Sequence, residues 1–218
     1  MAGLIQNFKM STLTKMDISK LSLNNQYQVN ISGIAGDLAG YLGRTYDIPN
    51  NYASGKDVGI MCSEATLPTS SFATSEVKDN FHGINQQFAH TRLYIDSDFT
   101  FYVDQNYNTL KFFEGWMDYI SGDDNNLGPE IDKRSQKYYK RFNYPMNGGK
   151  VGYKCGVLEI SKFEKNYGHA PNASAAKSLT YEFINAFPKG MTSIPVQYGG
   201  ADLTKVTVQF AYDRYIIK

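Results

Sequence analysis

The chain has 218 residues and carries 22 Lys and Arg against 21 Asp and Glu, a formal net charge of +1. That length suits one domain with a real core, and the charge balance excludes a general tendency to bind polyanions. No apolar run reaches the ~18 residues a membrane-spanning helix needs, and Met1-Ala-Gly-Leu-Ile-Gln lacks the apolar stretch of a secretory signal, so the expectation is a soluble protein made in a reducing cytoplasm.

Residues 1–25 space their apolar positions irregularly, which suits a short helix or an extended arm. Gln26 to Ile31 alternates as a first strand. Residues 32–56 hold Gly33, Gly36, Gly40, Gly43 and Gly55 and read as a long loop or insertion. Val58 to Thr66 and Phe72 to Lys78 flank Leu67-Pro-Thr-Ser-Ser71, the pattern of a strand–turn–strand hairpin. Further strands are expected over 84–95 and 99–104. Residues 107–121 carry the best helix signal. Leu110, Phe113, Met117 and Ile120 form its packing stripe, Asn106 or Asn108 can cap it, and Gly122 can end it.

After the helix, 122–137 reads as a second loop insertion. Tyr138 to Tyr144 suits a short strand, and Val151 to Glu164 a longer one kinked at Gly156. The last forty residues hold two alternating runs, Leu179 to Pro188 and Leu203 to Ile217. In the second, Val206, Val208, Phe210 and Tyr212 share one face. Strands on both sides of one helix predict a mainly β fold, an antiparallel β-sandwich or barrel with one flanking α-helix, over a single domain of residues 1–218. The 17 Tyr and 13 Phe against one Trp fit either strands at subunit contacts or simply a β-rich chain.

Catalytic chemistry is nearly silent. His82, His90 and His169 match no metal spacing. The glycines from Gly33 to Gly40 lack the Lys-Ser/Thr of a phosphate loop. Asp96-Ser-Asp98 and Asp123-Asp-Asn-Asn126 lack the spaced ligands and distal Glu of a calcium loop. Cys62 and Cys155 read as small buried apolar side chains. Lys133 to Phe142 mixes cations with aromatics, a pairing that can grip single-stranded nucleic acid, although Glu130 and Asp132 lie beside it. No enzyme, cofactor or metal site is expected.

Several segments together resemble the tail tube proteins of contractile-tailed, T4-like bacteriophages, a family related in fold to secretion-system tube proteins. They are Met61-Cys-Ser-Glu-Ala-Thr-Leu-Pro68, Phe99-Thr-Phe-Tyr-Val103 leading into Leu110 to Ile120, Arg141-Phe-Asn-Tyr-Pro145, Ile160 to Lys165, Phe187-Pro-Lys, and Tyr212-Asp-Arg-Tyr215. They come in the family's order. The resemblance implies a structural subunit forming stacked hexameric rings, the inner conduit for DNA delivery in a virion made in the host cytoplasm. Implied partners are further copies of the chain, a tail sheath protein, baseplate and tail terminator proteins, and viral DNA in the lumen. It also implies a barrel-forming hairpin between subunits, with Cys62, Glu64, Leu67, Pro68, Phe72 and Val77 as candidates. The alternatives are a tube-like baseplate or tail-end paralogue, or a β-sandwich module binding carbohydrate or single-stranded nucleic acid.

Overall fold

The computed structural model describes residues 22, 24–78, 83–122, 142–143, 145, 152–163, 178–196, 198–200 and 202–218. The chain divides into two compact units, residues 1–27 with 162–178 and residues 28–161 with 179–218. In the first, the Phe163 N–H donates to the Gln26 carbonyl at 3.1 Å and Lys162 Nζ donates to Ser22 Oγ. The second holds the core.

Ten strands are described: β1 Tyr27–Ser32, β2 Cys62–Ala65, β3 Ser70–Val77, β4 Gln86–Tyr94, β5 Ser97–Tyr102, β6 Val157–Phe163, β7 Ser178–Ile184, β8 Phe187–Met191, β9 Lys205–Ala211 and β10 Arg214–Ile217. They form sheet I in the order β1-β6-β7-β10, sheet II in the order β2-β5-β9-β8, and a separate two-stranded ribbon of β3 and β4. All pairings with a described register are antiparallel. The fold is mainly β, as expected.

Alternation explains sheet II. Phe99 and Phe101 on β5 and Val206, Val208 and Phe210 on β9 are fully buried, while Asp98, Lys205 and Gln209 are exposed. Phe99 opposes Val208 and Phe101 opposes Val206. Sheet I answers with Val29, Ile31, Leu158, Ile160 and Phe183, and the Phe183 ring meets Phe99 edge-on at 5.8 Å. Edge-to-face aromatic contact of this kind adds specificity to the burial energy of the rings. Each C-terminal run is two strands rather than one. The first breaks at Asn185, whose φ is +60°, and the second at Tyr212-Asp213. Tyr212 still reaches the core, its ring 4.8 Å from Phe183.

The reading of 32–56 as loop is corrected. This stretch holds helix α1, Gly36–Tyr46, and the short helix α2, Asn50–Ala53, followed by α3, Lys56–Ile60. Glycine lowers intrinsic helix propensity, but Leu38, Tyr41 and Leu42 sit at i, i+3 and i+4 and are buried, so tertiary packing overrides the propensity. Gly55 closes the turn between α2 and α3 at φ +86°, and a Cβ there would stand 2.7 Å from the Ile31 carbonyl oxygen. Both the dihedral and the approach require glycine.

Helix α4, Asn108–Ser121, lies where expected and ends at Gly122 in the left-handed region. Its buried face is turned from the predicted one. Thr109, Phe112, Phe113, Gly115 and Trp116 are buried, whereas Leu110, Met117 and Ile120 are half-buried and flank that face. The cause is two neighbours. The sheets take Phe112, Phe113 and Trp116, and α1 crosses at Gly115, where a Cβ would fall 2.7 Å from Leu42 and 2.8 Å from Tyr46. Neither Asn106 nor Asn108 caps the start. Asp104 does so, its carboxylate accepting the Thr109 N–H at 3.1 Å and the Asn108 amide at 2.9 Å. The predicted loop 122–137 beyond Gly122, and the strand 138–144 apart from Phe142 and Asn143, lie outside the described residues.

Candidate assembly interface

The six candidate residues do not form a hairpin of their own: all lie on one arm of a longer one. Cys62 and Glu64 belong to β2, which pairs with β5 at the edge of sheet II, and Phe72 and Val77 belong to β3, which pairs with β4. Leu67 and Pro68 mark no turn. They interrupt a much longer antiparallel ribbon in which β2 and then β3 run opposite β5 and then β4. Across the interruption the Thr66 N–H donates to Asp98 O at 3.0 Å, and the Ile95 N–H donates to Thr69 O at 3.3 Å. Pro68 has no N–H to give a ladder and is buried. Here the ribbon leaves sheet II. The chain reverses instead between Val77 and Gln86.

Beyond this exit the ribbon stands almost uncovered, with nearly every residue of β3 and β4 exposed. Eight residues of strand at ~3.3 Å each give a projection of roughly 26 Å. Its register holds one irregularity. Ala73 opposes Thr91, but Thr74 opposes Ala89, so His90 is an extra residue on β4. Side chains alternate across a strand, so one added residue exchanges the two faces of everything beyond it. As a result Ala73 and Val77 of β3 share a face with Leu93 and Phe88 of β4. If His90 instead took a regular place opposite Thr74, Phe88 would fall in with Tyr94 and Arg92 on the other face. The bulge therefore collects an apolar stripe, in which Phe88 is 54% exposed and Leu93 48%. Phe72 stands on the opposite face, also exposed.

A second exposed apolar group lies on the connection between β8 and β9, where Val196, Tyr198 and Leu203 face solvent. Ile194, Val196 and Leu203 border an open dimple of about 420 Å³ there. Asp202, Thr204 and Lys205 also line it.

His90 Nδ1 pairs with Thr91 Oγ1 at 2.8 Å, and His82 and His169 lie outside the described residues. Among the described residues, no three His, Cys, Asp or Glu side chains cluster as a metal site would require. Burial pushes both the Cys62 and Cys155 thiols up to about 12. Apart from Phe142, the basic-aromatic run 133–142 lies outside the described residues. Among the described residues no helix is long and apolar enough to cross a membrane.

Residues 22–218 match the family described as phage tail tube protein, and the chain belongs to that family. It is a structural subunit of a tail tube. Solved structures of similar fold include a chain of an extracellular contractile injection system sheath–tube complex in the extended state, at 13% identity over 96% of this chain and 97% of that one, with a TM-score of 0.47. A chain of the anti-feeding prophage baseplate aligns at 9% identity over 91% of this chain and 95% of that one, with a TM-score of 0.49. An Hcp protein crystal structure aligns at 11% identity over 88% and 92%, with a TM-score of 0.38. No curated protein matches the chain.

Sequence reasoning pointed to Phe72 and Val77, which lie exposed on β3, and did not point to Phe88, Leu93 or Arg92 on the opposing strand. Residues 84–95 read as a strand, but their partner is not the one the hairpin reading supplies, and a bulge is defined only against a partner.

Proposed function

We propose that this chain, acting as one tail-tube domain, joins its copies into hexameric rings that stack as the inner tube of a contractile tail. The lumen then conducts viral DNA, and the tube's outer partners are a sheath protein, a baseplate and a terminator. On this reading the subunits are made in the host cytoplasm and end in the virion. One observation carries it: the β3–β4 ribbon, whose backbone edges and apolar stripe have no cover among the described residues. A two-stranded ribbon alone is marginal in water, and exposed edges invite another chain. Seating it on a neighbouring copy satisfies both needs. Because a ribbon differs from the surface that receives it, the contact is head-to-tail, and such contacts build rings or filaments.

Electron microscopy of the purified chain tests this. Hollow tubes or six-fold rings are expected. Phe88→Asp should abolish them while leaving circular dichroism unchanged, because Phe88 contributes to no core. Monodisperse wild-type monomers at high concentration, or tubes that persist in Phe88→Asp, would overturn it.

A further inference from the structure

The ribbon is joined covalently to sheet II alone, through its two exits at residues 66–69 and 95–96. Two adjacent exits form a hinge line, about which a projecting ribbon can swing. A third point of attachment would fix its angle, and one exists on sheet I. Ser70, Arg92 and Tyr94 share the ribbon face opposite the apolar stripe. Arg92 Nε and Nη2 both donate to Ser70 Oγ, at 3.1 and 2.9 Å, and Nη2 also donates to the Tyr215 hydroxyl on β10 at 3.3 Å. The guanidinium carbon lies 5.3 Å from the Tyr94 ring centre and 5.6 Å from that of Tyr215. The two rings meet edge-on at 5.5 Å, and Tyr181 of β7 backs Tyr215 at 5.9 Å. On the hinge line itself, the Tyr212 hydroxyl donates to the Ile95 carbonyl.

We infer that Arg92 is a positioning residue that ties the ribbon to Tyr215 and so presets its angle in the free subunit, ready for a second copy. This rests on the ribbon being a subunit contact and names what readies it. A planar guanidinium can donate in a fork and stack on two rings at once, which the point charge of lysine cannot do. Ser70 first, and then Arg92, hold the Tyr215 phenol below its ordinary value, in keeping with a donor aimed at its oxygen. The clamp does not build the fold. It restricts the free subunit to the binding-competent geometry, so its loss reduces apparent affinity by the fraction of subunits still correctly aimed.

The test uses the full chain with Arg92→Ala, Arg92→Lys, Tyr215→Phe, Tyr215→Ala and the Arg92→Ala/Tyr215→Ala pair. Hydrogen exchange is followed in β3 and β4 below the assembly concentration, together with the critical concentration for tubes and the urea midpoint. If a tenth of the subunits stay correctly aimed without the clamp, Arg92→Ala and Tyr215→Ala should each raise the critical concentration about tenfold. Both should speed ribbon exchange with little change in midpoint, and the pair should be no worse than the stronger single. Arg92→Lys should behave like Arg92→Ala. Tyr215→Phe, which keeps the ring and serves if Tyr215→Ala fails to fold, should fall between. Additive effects, a wild-type Arg92→Lys, or unchanged exchange would overturn the inference. Phe88→Asp keeps the two ideas apart. Tubes in Phe88→Asp refute the ribbon as a contact, whereas no tubes there but normal assembly in Arg92→Ala refute the clamp alone.

Discussion

Trp116 and Met117 are adjacent in sequence and make opposite predictions about which face of α4 is buried. Trp116 is fully buried, its ring 5.6 Å from Phe112 and 6.2 Å from Phe210, and its Nε1 donates to the Tyr153 carbonyl at 2.7 Å. Truncating such a side chain to alanine costs ~3–5 kcal/mol in lost transfer energy and residual cavity. Leaving this part-buried carbonyl without its donor adds ~1 kcal/mol. Trp116→Ala should therefore lose about 4–6 kcal/mol, a large share of the ~5–15 kcal/mol typical of a whole domain. Met117 is only half-buried, and Met117→Ala should lose about 1 kcal/mol, well below the range for fully buried methionines. Urea unfolding followed by circular dichroism is the assay, since Trp116 is the only tryptophan and the tryptophan fluorescence signal disappears with it. If Trp116→Ala is too unstable to purify, Trp116→Phe keeps most of the ring volume. It should still cost ~2 kcal/mol through lost area and the lost hydrogen bond. A Met117→Ala loss equal to or larger than that of either Trp116 variant would refute the assigned face.

Gly115→Ala should destabilise by ~1–2 kcal/mol in thermal or urea unfolding, because the overlap with Leu42 and Tyr46 outweighs the ~1 kcal/mol gain in helix propensity. A neutral or stabilising result would mean that α1 and α4 do not cross there. Partial burial, and secondarily Asp118, raise the Glu114 carboxyl above its ordinary value. The folded state thus favours the protonated form, and that favour is present below the unfolded value and lost as pH rises through the folded one. Glu114→Gln should accordingly raise the unfolding midpoint slightly at neutral pH and converge on wild type in acid; a lower midpoint at neutral pH would contradict the sign. With both thiols held at about 12, a disulfide reagent at pH 8 should label buried Cys155 slowly and half-buried Cys62 more slowly in the folded chain than in urea, and rapid native labelling of Cys155 would argue against its burial.

The strands were legible because alternation is a local signal: Val206, Val208 and Phe210 announce their shared face with no knowledge of a partner. Helix α4 was legible as an element, but its orientation was ambiguous, since Thr109, Phe112 and Trp116 satisfy the same spacing as Leu110, Met117 and Ile120. Only the position of α1 against Gly115 decides between them. Helix α1 was hidden by its glycines, although Leu38, Tyr41 and Leu42 carried the helical spacing. The Leu67-Pro68 pair was read through one role of proline, the turn, when its other role, interrupting a ladder, was the one in use. What could not be read at all was relational. Which strand faces β3, which residue bulges, and which ring Arg92 reaches all depend on register across the chain.

The bulge at His90 makes the ribbon tolerant of a deletion there and intolerant of a slip. Removing that codon would leave Thr91 opposite Ala73 and Ala89 opposite Thr74 in an unbroken ladder, with Phe88 still on the face of Leu93. Both sheets, every buried ring and the apolar stripe would survive, and only the local kink and extra twist would go. A regular place for His90 opposite Thr74 has the opposite effect. It moves Ala89, Phe88 and the rest of β4 along by one, turns Phe88 to the side of Arg92 and Tyr94, and splits the stripe between two faces. The unpaired residue is a spacer: the surface depends on its staying out of the ladder, and a subunit that lost it would still present the same patch to its own kind.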